Sequence, residues 1–328
     1  TSNQLISMIN QASQNLNRLS PALTLQPTPS EQVDASLIEL RDEKKLQTPE
    51  AMLILKSMAE TNAIGHATYI GRFIFVDMAV YHPQSDTLPI ISLSSQQEKI
   101  RLQSPPPVEE TILLLSEQVG SIMLDSTNVE MKLSRLEGLL LMAVIDAARR
   151  TEMQRFLHGD DQSTEELKSA HVSESFDTAR GGAQWLTPYL QDCLVLESPM
   201  GPEFHSGLAS LAEKGLLSLG RDSIQLTFEV QKLVSNFLLV EGHLRLRSTM
   251  LSEVNDNPSY FEVRVIQGRT GAFLVWMPIG DEIRLLSASG AGVLNLVEQF
   301  LLSPQGVFGK KLAVKKNVVQ IPPPEKLS

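Results

Sequence analysis

The chain has almost none of the residue patterns that announce chemistry. Cys193 is the one cysteine among 328 residues, which excludes an internal disulfide and a cysteine-built metal site. It fits a reducing compartment. On an apolar helix, with nothing basic near it in sequence to lower its pKa, it reads as a buried thiol. Long apolar runs are missing too. The longest, 139–145, is closed by Asp146 and falls far short of the roughly 18–20 residues that span a bilayer. No charged N-terminal region leads into an apolar core, so no signal peptide is expected. The expectation is a soluble, cytoplasmic protein with no membrane contact.

Histidine stands at 66, 82, 158, 171, 205 and 243, never in the HxH, HxxxH or HExxH spacing of a metal site. His82 before Pro83 reads as a turn residue, and His158 as a cation closing a helix. There is no GxSxG elbow and no GxxxxGK[ST] phosphate loop. Gly290-Ala291-Gly292 lies between a strand and a helix, as in dinucleotide sites, but the third glycine position holds Asn295 and no βαβ continuation follows. A tight turn is the plainer reading. Asp160-Asp161 and Glu165-Glu166 lack the spacing of a calcium loop and read as solvated charges. We therefore expect no catalytic residues, no metal, no cofactor and no enzyme.

The formal net charge is -10. An acidic body does not neutralise phosphates along its surface, so nucleic acid is an unexpected partner unless a local basic patch exists. Residues 303–328 hold five lysines against one glutamate. This basic tail lies either on the acidic surface of its own chain or on a partner.

What is present is alternating helix and strand signals. Leu5, Ile6, Ile9, Ala12, Leu16 and Leu19 give an amphipathic N-terminal helix that docks on its own domain or serves as a partner arm. Helices are expected at 30–45 and 49–61, strands at 72–80, 88–93 and 98–102, and a helix at 108–119. Thr127-Asn128-Val129-Glu130 has the capping-box pattern, with Thr127 as the cap of a helix of about thirty residues. Polar residues 159–182 suggest a linker. A helix at 185–196 follows, then the leucine-rich helix 207–215 closed by Gly215, a short strand, and a helix capped by Thr227. Strands at 243–248, 261–267, 272–277 and 282–286 precede a last helix at 293–302. The apolar strands 73–80 and 272–277 should lie in a covered sheet, and an exposed face on either would be a partner surface.

These signals give an α+β protein of two similar-sized halves with faint signs of duplication, each an antiparallel sheet packed against helices. The expected divisions are a helical extension at 1–48, an N-terminal half at 49–160, a linker at 161–182, a C-terminal half at 183–302 and a basic extended tail at 303–328. In support of duplication, Pro49-Glu50 and Leu55-Lys56-Ser57-Met58-Ala59-Glu60 parallel Pro202-Glu203 and Leu208-Ala209-Ser210-Leu211-Ala212-Glu213.

Leu208-Ala209-Ser210-Leu211-Ala212-Glu213-Lys214-Gly215-Leu216-Leu217, followed by Gly220-Arg221-Asp222 and Leu226-Thr227, resembles the end of a winged-helix recognition helix running into its wing, as in MarR-type regulators. That resemblance implies DNA binding. Yet the helix offers only His205 and Lys214 as basic residues, against Glu203 and Glu213, where base readout needs Arg, Lys, Asn or Gln. The longer order from Leu208 through Phe261-Glu262-Val263-Arg264-Val265, Ala272-Phe273-Leu274-Val275-Trp276 and Ile283-Arg284-Leu285 to Leu302 resembles the EspG-type chaperones of type VII secretion. That implies a non-catalytic protein whose sheet and helices hold another protein, a small helical one, with no binding residue carried over. A protein-interaction adaptor or chaperone is the leading expectation, and a winged-helix DNA-binding regulator the alternative.

Overall fold

A computed structural model describes residues 2–16, 18–22, 49–96, 99–119, 129–158, 166–178, 184–194, 197–251, 258–269, 271–307, 313–315 and 318–320. The first elements are α1 (Ser2–Asn15), α2 (Pro49–Ala59), β1 (Thr61–Gly71), β2 (Phe75–Pro83), β3 (Ile91–Gln96), β4 (Lys99–Gln103) and α3 (Val108–Val119). Then come β5 (Glu130–Ser134), α4 (Arg135–His158), β6 (Glu166–Lys168), α5 (Ser169–Thr178), α6 (Leu186–Leu194), α7 (Pro202–Glu213), β7 (Leu217–Leu219), β8 (Ser223–Leu226) and α8 (Phe228–Asn236). The last are β9 (Val240–Met250), β10 (Ser259–Gly268), β11 (Phe273–Ile279), β12 (Glu282–Ala288), α9 (Gly290–Leu302), α10 (Pro304–Val307), β13 (Ala313–Lys315) and β14 (Val318–Gln320). The fold class is α+β, as expected.

The chain forms two compact units that are not the two contiguous halves expected. One takes residues 1–121, 244–264 and 290–328, the other 122–243 and 265–289. Strand pairing and helix packing cause the interleaving. β9 and β10 follow β1 in the strand order β4-β3-β2-β1-β9-β10, and α9 packs on β1 and α3.

In the first unit α1 packs on α2, not outward as an arm. Leu5 and Ile9 join Leu55, Met58, Ile64, Tyr81 and Ile91 in one core. β1 was missed, because its Gly65 and His66 interrupt the apolar alternation. The expected strand at 72–80 is instead the β1–β2 turn followed by β2. His82 lies within β2, where its Nε2 stands 2.7 Å from the carbonyl oxygen of Leu301. Burial holds its pKa below the ordinary value, against the pull of that bond. The helix expected at 30–45 lies outside the described residues.

The second unit is organised around α4. Residues 137–149 are buried all round, as befits a helix in the middle of a domain, with α5, α6, α7 and α8 packed against it. Its capping box is not at Thr127, which lies outside the described residues, but one strand later. Ser134 Oγ accepts the Glu137 amide at 3.2 Å, and Glu137 Oε2 accepts the Ser134 amide at 2.6 Å. Val129 and Leu133 point inward because a spacing of four satisfies period two as well as a helix, and pairing of β5 with β12 decides for a strand.

Glu137 also accepts hydrogen bonds from Ser210 Oγ and, at 2.7 Å, from Lys214 Nζ. Burial alone would raise its pKa, but these donors and the Ser134 amide outweigh it and bring it to about 2. A carboxylate with a depressed pKa stabilises the fold above its unfolded value and loses that contribution as pH falls. The wild type should therefore lose stability from about pH 4.5 down to about pH 2, and Glu137→Gln should flatten that limb. Urea midpoints measured across that range check it, and parallel curves for the two proteins would refute it.

Residues 161–182, expected as a linker, contribute β6 and α5 in their described part, with Leu167, Val172 and Phe176 in the core of the second unit. Three apolar anchors hold a segment that is polar on average. β6, β8 and β7 make a small sheet in that order, with β6 and β7 both antiparallel to β8. Gly215 has φ +70°, and the Leu216 amide reaches back to Leu211 O at 3.1 Å while the Gly215 amide reaches Ala212 O at 2.9 Å. This is the Schellman closure expected of that glycine. Thr227 precedes α8 in extended conformation, but its hydroxyl donates to Leu216 O at 2.9 Å and does not cap the helix.

The tail boundary at 303 also moves. Pro304 and Val307 are buried in α10, and β14 packs on α9. β13 and β14 pair antiparallel.

Candidate functional site

The residues that converge lie on one face of the sheet in the first unit. A Cβ added to Gly65 would stand 1.9 Å from the Phe300 carbonyl oxygen, so this part of β1 lies against α9. Strand alternation turns His66, Thr68 and Ile70 to the opposite face. Ser248 of β9 donates to Pro304 O at 2.6 Å, which sends Arg245 and Arg247 the other way. Phe261 of β10 stacks on Phe300 at 6.0 Å, leaving Tyr260, Glu262 and Arg264 on the same far face. The order β2-β1-β9-β10 sets these side chains in neighbouring strands.

Three guanidinium groups converge on one carboxylate. Glu262 Oε2 accepts Nε of Arg245 and of Arg247, each at 2.9 Å, and Oε1 accepts Nε of Arg264 at 2.8 Å. A second nitrogen of Arg245 and of Arg247 stands 2.8 Å from Oε2. The Arg247 guanidinium lies 5.3 Å from the ring centroid of Tyr260. Glu262 is buried, Arg245 and Arg247 keep side-chain exposures of 26% and 34%, and Tyr260 is 67% exposed.

On β1 and β2, His66 Nε2 stands 2.7 Å from Asp77 Oδ1, and Thr68 donates to the same oxygen at 3.0 Å. Burial pushes the Asp77 carboxyl up, but bonding from His66 and Thr68 prevails and its pKa is lowered. A histidine activates a hydroxyl when hydroxyl and carboxylate sit on different ring nitrogens. Here Thr68 Oγ1 approaches the same Nε2, at 3.3 Å, so the trio is not arranged as a nucleophile relay. Beyond it, Ile70 opposes Phe75 in the β1–β2 register, and both are about half exposed, while Phe73 in the turn is 81% exposed.

This surface was only partly legible. The strand 73–80 was singled out as a partner surface if exposed, and Phe73 and Phe75 are exposed. The strand 272–277 is buried on both faces and offers none. The arginine cluster was missed, although Arg245 and Arg247, and Glu262 and Arg264, each alternate with apolar residues, the signal of a half-covered strand.

The other candidates do not converge. Gly290-Ala291-Gly292 is not a turn ahead of the last helix but its beginning, since α9 opens at Gly290 and Gly292 is buried in it. His205 Nδ1 contacts Gly201 O at 2.8 Å, His243 lies on the Tyr189 ring, and His158 ends α4. Among the described residues no group of three His, Cys, Asp or Glu could hold a metal, and no helix is long and apolar enough to cross a membrane. Cys193 is on α6, its side chain outside the described ones. Asp160, Asp161 and Glu165 also lie outside the described residues.

No protein-family profile and no curated protein sequence matches the chain. A solved structure similar to it is that of the Mycobacterium tuberculosis type VII secretion system chaperone EspG5 in complex with the PE25-PPE41 dimer. The two share 9% identity over 91% of this chain and 93% of that one, with a TM-score of 0.42. At that similarity it fixes neither family nor function.

Proposed function

We propose that this chain is a non-catalytic protein-binding module, an adaptor or chaperone, and that a partner protein docks on the sheet face bearing Ile70, Phe75, Tyr260 and the arginine cluster. The observation that carries the reading is that exposed Phe75, Ile70 and Tyr260 share one sheet face with partly exposed arginines, the composition of protein interfaces. A soluble, cytoplasmic setting is part of the same proposal. The alternative, DNA reading by α7, is disfavoured by its chemistry. Lys214 is paired with Glu137, and α7 otherwise presents Glu203, His205, Ser206, Ala209 and Glu213 outward, which offers no fork for a base edge.

The order α2-β1-β2-β3-β4-α3 recurs as α8-β9-β10-β11-β12-α9, and the burial patterns of β1 and β9 differ at a single position. We read this as internal duplication, with α8 and not α7 as the counterpart of α2. Superposing β1–β4 on β9–β12 in an experimental structure tests it, and strands that do not match in order and direction would end it.

A photoreactive phenylalanine analogue at Tyr260, and separately at Phe75, tests the docking face in the source cell. The expected result is a protein adduct from both positions that survives nuclease and is absent from the same probe at Glu213. Adducts from Glu213 alone, or adducts lost to nuclease, would overturn it.

A further inference from the structure

One carboxylate holds Arg245, Arg247 and Arg264 together, and Arg245 and Arg247 stay partly exposed on a chain whose net charge is -10. Each guanidinium has five N–H donors. Arg245 and Arg247 give Nε and one further nitrogen to Glu262, and among the described residues that is their one carboxylate. Their remaining donors stand partly open to solvent, held in place because the inner side of each fork is pinned. Strand β9 fixes the two arginines two residues apart on one face, and Tyr260 lies against Arg247. A receptor made this way favours carboxylates, since forked donors match their geometry and little side-chain freedom is left to lose on binding.

From this geometry we infer that the face recognises an acidic segment of the partner protein, whose carboxylates meet Arg245 and Arg247 while its apolar side chains rest on Tyr260, Phe75 and Ile70. The inference rests on the protein-binding reading above and adds the chemistry of the partner. Charge complementarity selects this occupant. A nucleic acid needs a stripe of cations following a phosphate backbone, whereas this face holds two partly exposed guanidiniums and the Asp77 carboxylate, with Ile70, Phe75 and Tyr260 exposed on it. A second copy of this chain would have to bring an acidic stretch of its own, which the test would show as self-association.

The experiment is selection of a random peptide display library on the immobilised full chain, with Arg247→Gln and Arg245→Gln/Arg247→Gln proteins as counter-targets and near-ultraviolet circular dichroism as the fold control. Arg247→Gln alone leaves Arg245 and Arg264 on Glu262, so it keeps the test informative if the double variant does not fold. Peptides enriched on the wild type should be rich in Asp and Glu interspersed with apolar residues. Resynthesised, they should bind about tenfold more weakly to Arg247→Gln, the order expected for a lost charge-assisted contact. Their binding should also weaken as salt rises.

Enriched peptides of neutral or basic composition, or acidic ones indifferent to both substitutions, would overturn the acidic-segment inference while leaving protein binding in place. No enrichment over the variants would sink both. A single-stranded oligonucleotide that displaces the peptides through the same arginines at lower concentration would replace the inference with nucleic-acid binding. Self-association abolished by Arg247→Gln would replace it with a homo-oligomer.

Discussion

Asp146→Ala should lower the unfolding free energy by about 3–5 kcal/mol, the cost of leaving a buried charge without its partner. Asp146 and Arg149 are fully buried on α4, with Arg149 Nη1 2.7 Å from Asp146 Oδ1. Burial pushes the carboxyl up and the guanidinium down from their ordinary pKa values, against their mutual attraction. The pair does more than neutralise itself. Asp146 Oδ2 accepts the Thr187 amide at 2.8 Å and the Thr187 hydroxyl at 2.7 Å, and Oδ1 accepts the Leu186 amide at 3.2 Å. It therefore satisfies the first amides of α6. Arg149 in turn donates to the carbonyls of Gln184, at 2.7 Å, and Leu238, at 3.3 Å, tying α4 to the segments before α6 and after α8.

A buried ion pair can often be exchanged for apolar residues of similar volume at no loss. Here Asp146→Leu/Arg149→Met should remain destabilised by about 2 kcal/mol or more, because the exchange strips the α6 amides and the carbonyls of Gln184 and Leu238 of their partners. Urea unfolding read at Trp185, whose ring lies 5.4 Å from both Arg149 and Arg150, measures both variants. A loss below about 0.5 kcal/mol for Asp146→Ala, within the scatter of neutral surface changes, would show that the pair is dispensable.

Sequence reading found what local physics decides. The proline stop and α3 and the Gly215 closure are set by residues within one turn of themselves. It failed where a distant segment decides. Val129 to Ser134 carries helix-compatible spacing, but β12 offers an edge to pair with, and a strand results. Leu167, Val172 and Phe176 sit in a stretch too polar on average to look packed, yet α4 supplies the core that takes them. The candidate site was hidden for the same reason. Arg245 and Arg264 are 19 positions apart in sequence, and only the neighbouring places of β9 and β10 bring both to Glu262. The interleaving of the units was beyond reach, since nothing in 244–264 says that it pairs next to β1.

Gly65→Ala should be nearly as costly, for a steric reason with no electrostatic part. The added Cβ would stand 1.9 Å from the Phe300 carbonyl oxygen and 3.0 Å from the Leu301 Cα. These are backbone atoms of α9, whose Phe300 and Leu301 side chains are fully buried, so no rotamer change can make room. Either β1 bows or the C-terminal turn of α9 lifts, and overpacking of this kind costs about 1–3 kcal/mol, with the upper end expected for a backbone collision. Gly138→Ala is the matched control. There the nearest atom is the Ile283 Cδ1 at 2.8 Å, the far end of a side chain that can turn away, and alanine gains about 1 kcal/mol over glycine in a helix. That variant should be close to neutral. A second readout tells lifting of α9 from bowing of β1. His82 touches Leu301 O and its pKa is lowered mainly by burial. If α9 lifts, His82 gains water and its NMR titration should move up toward the ordinary histidine value. Thermal melts in which Gly65→Ala and Gly138→Ala coincide would show that α9 does not rest on β1 at Gly65.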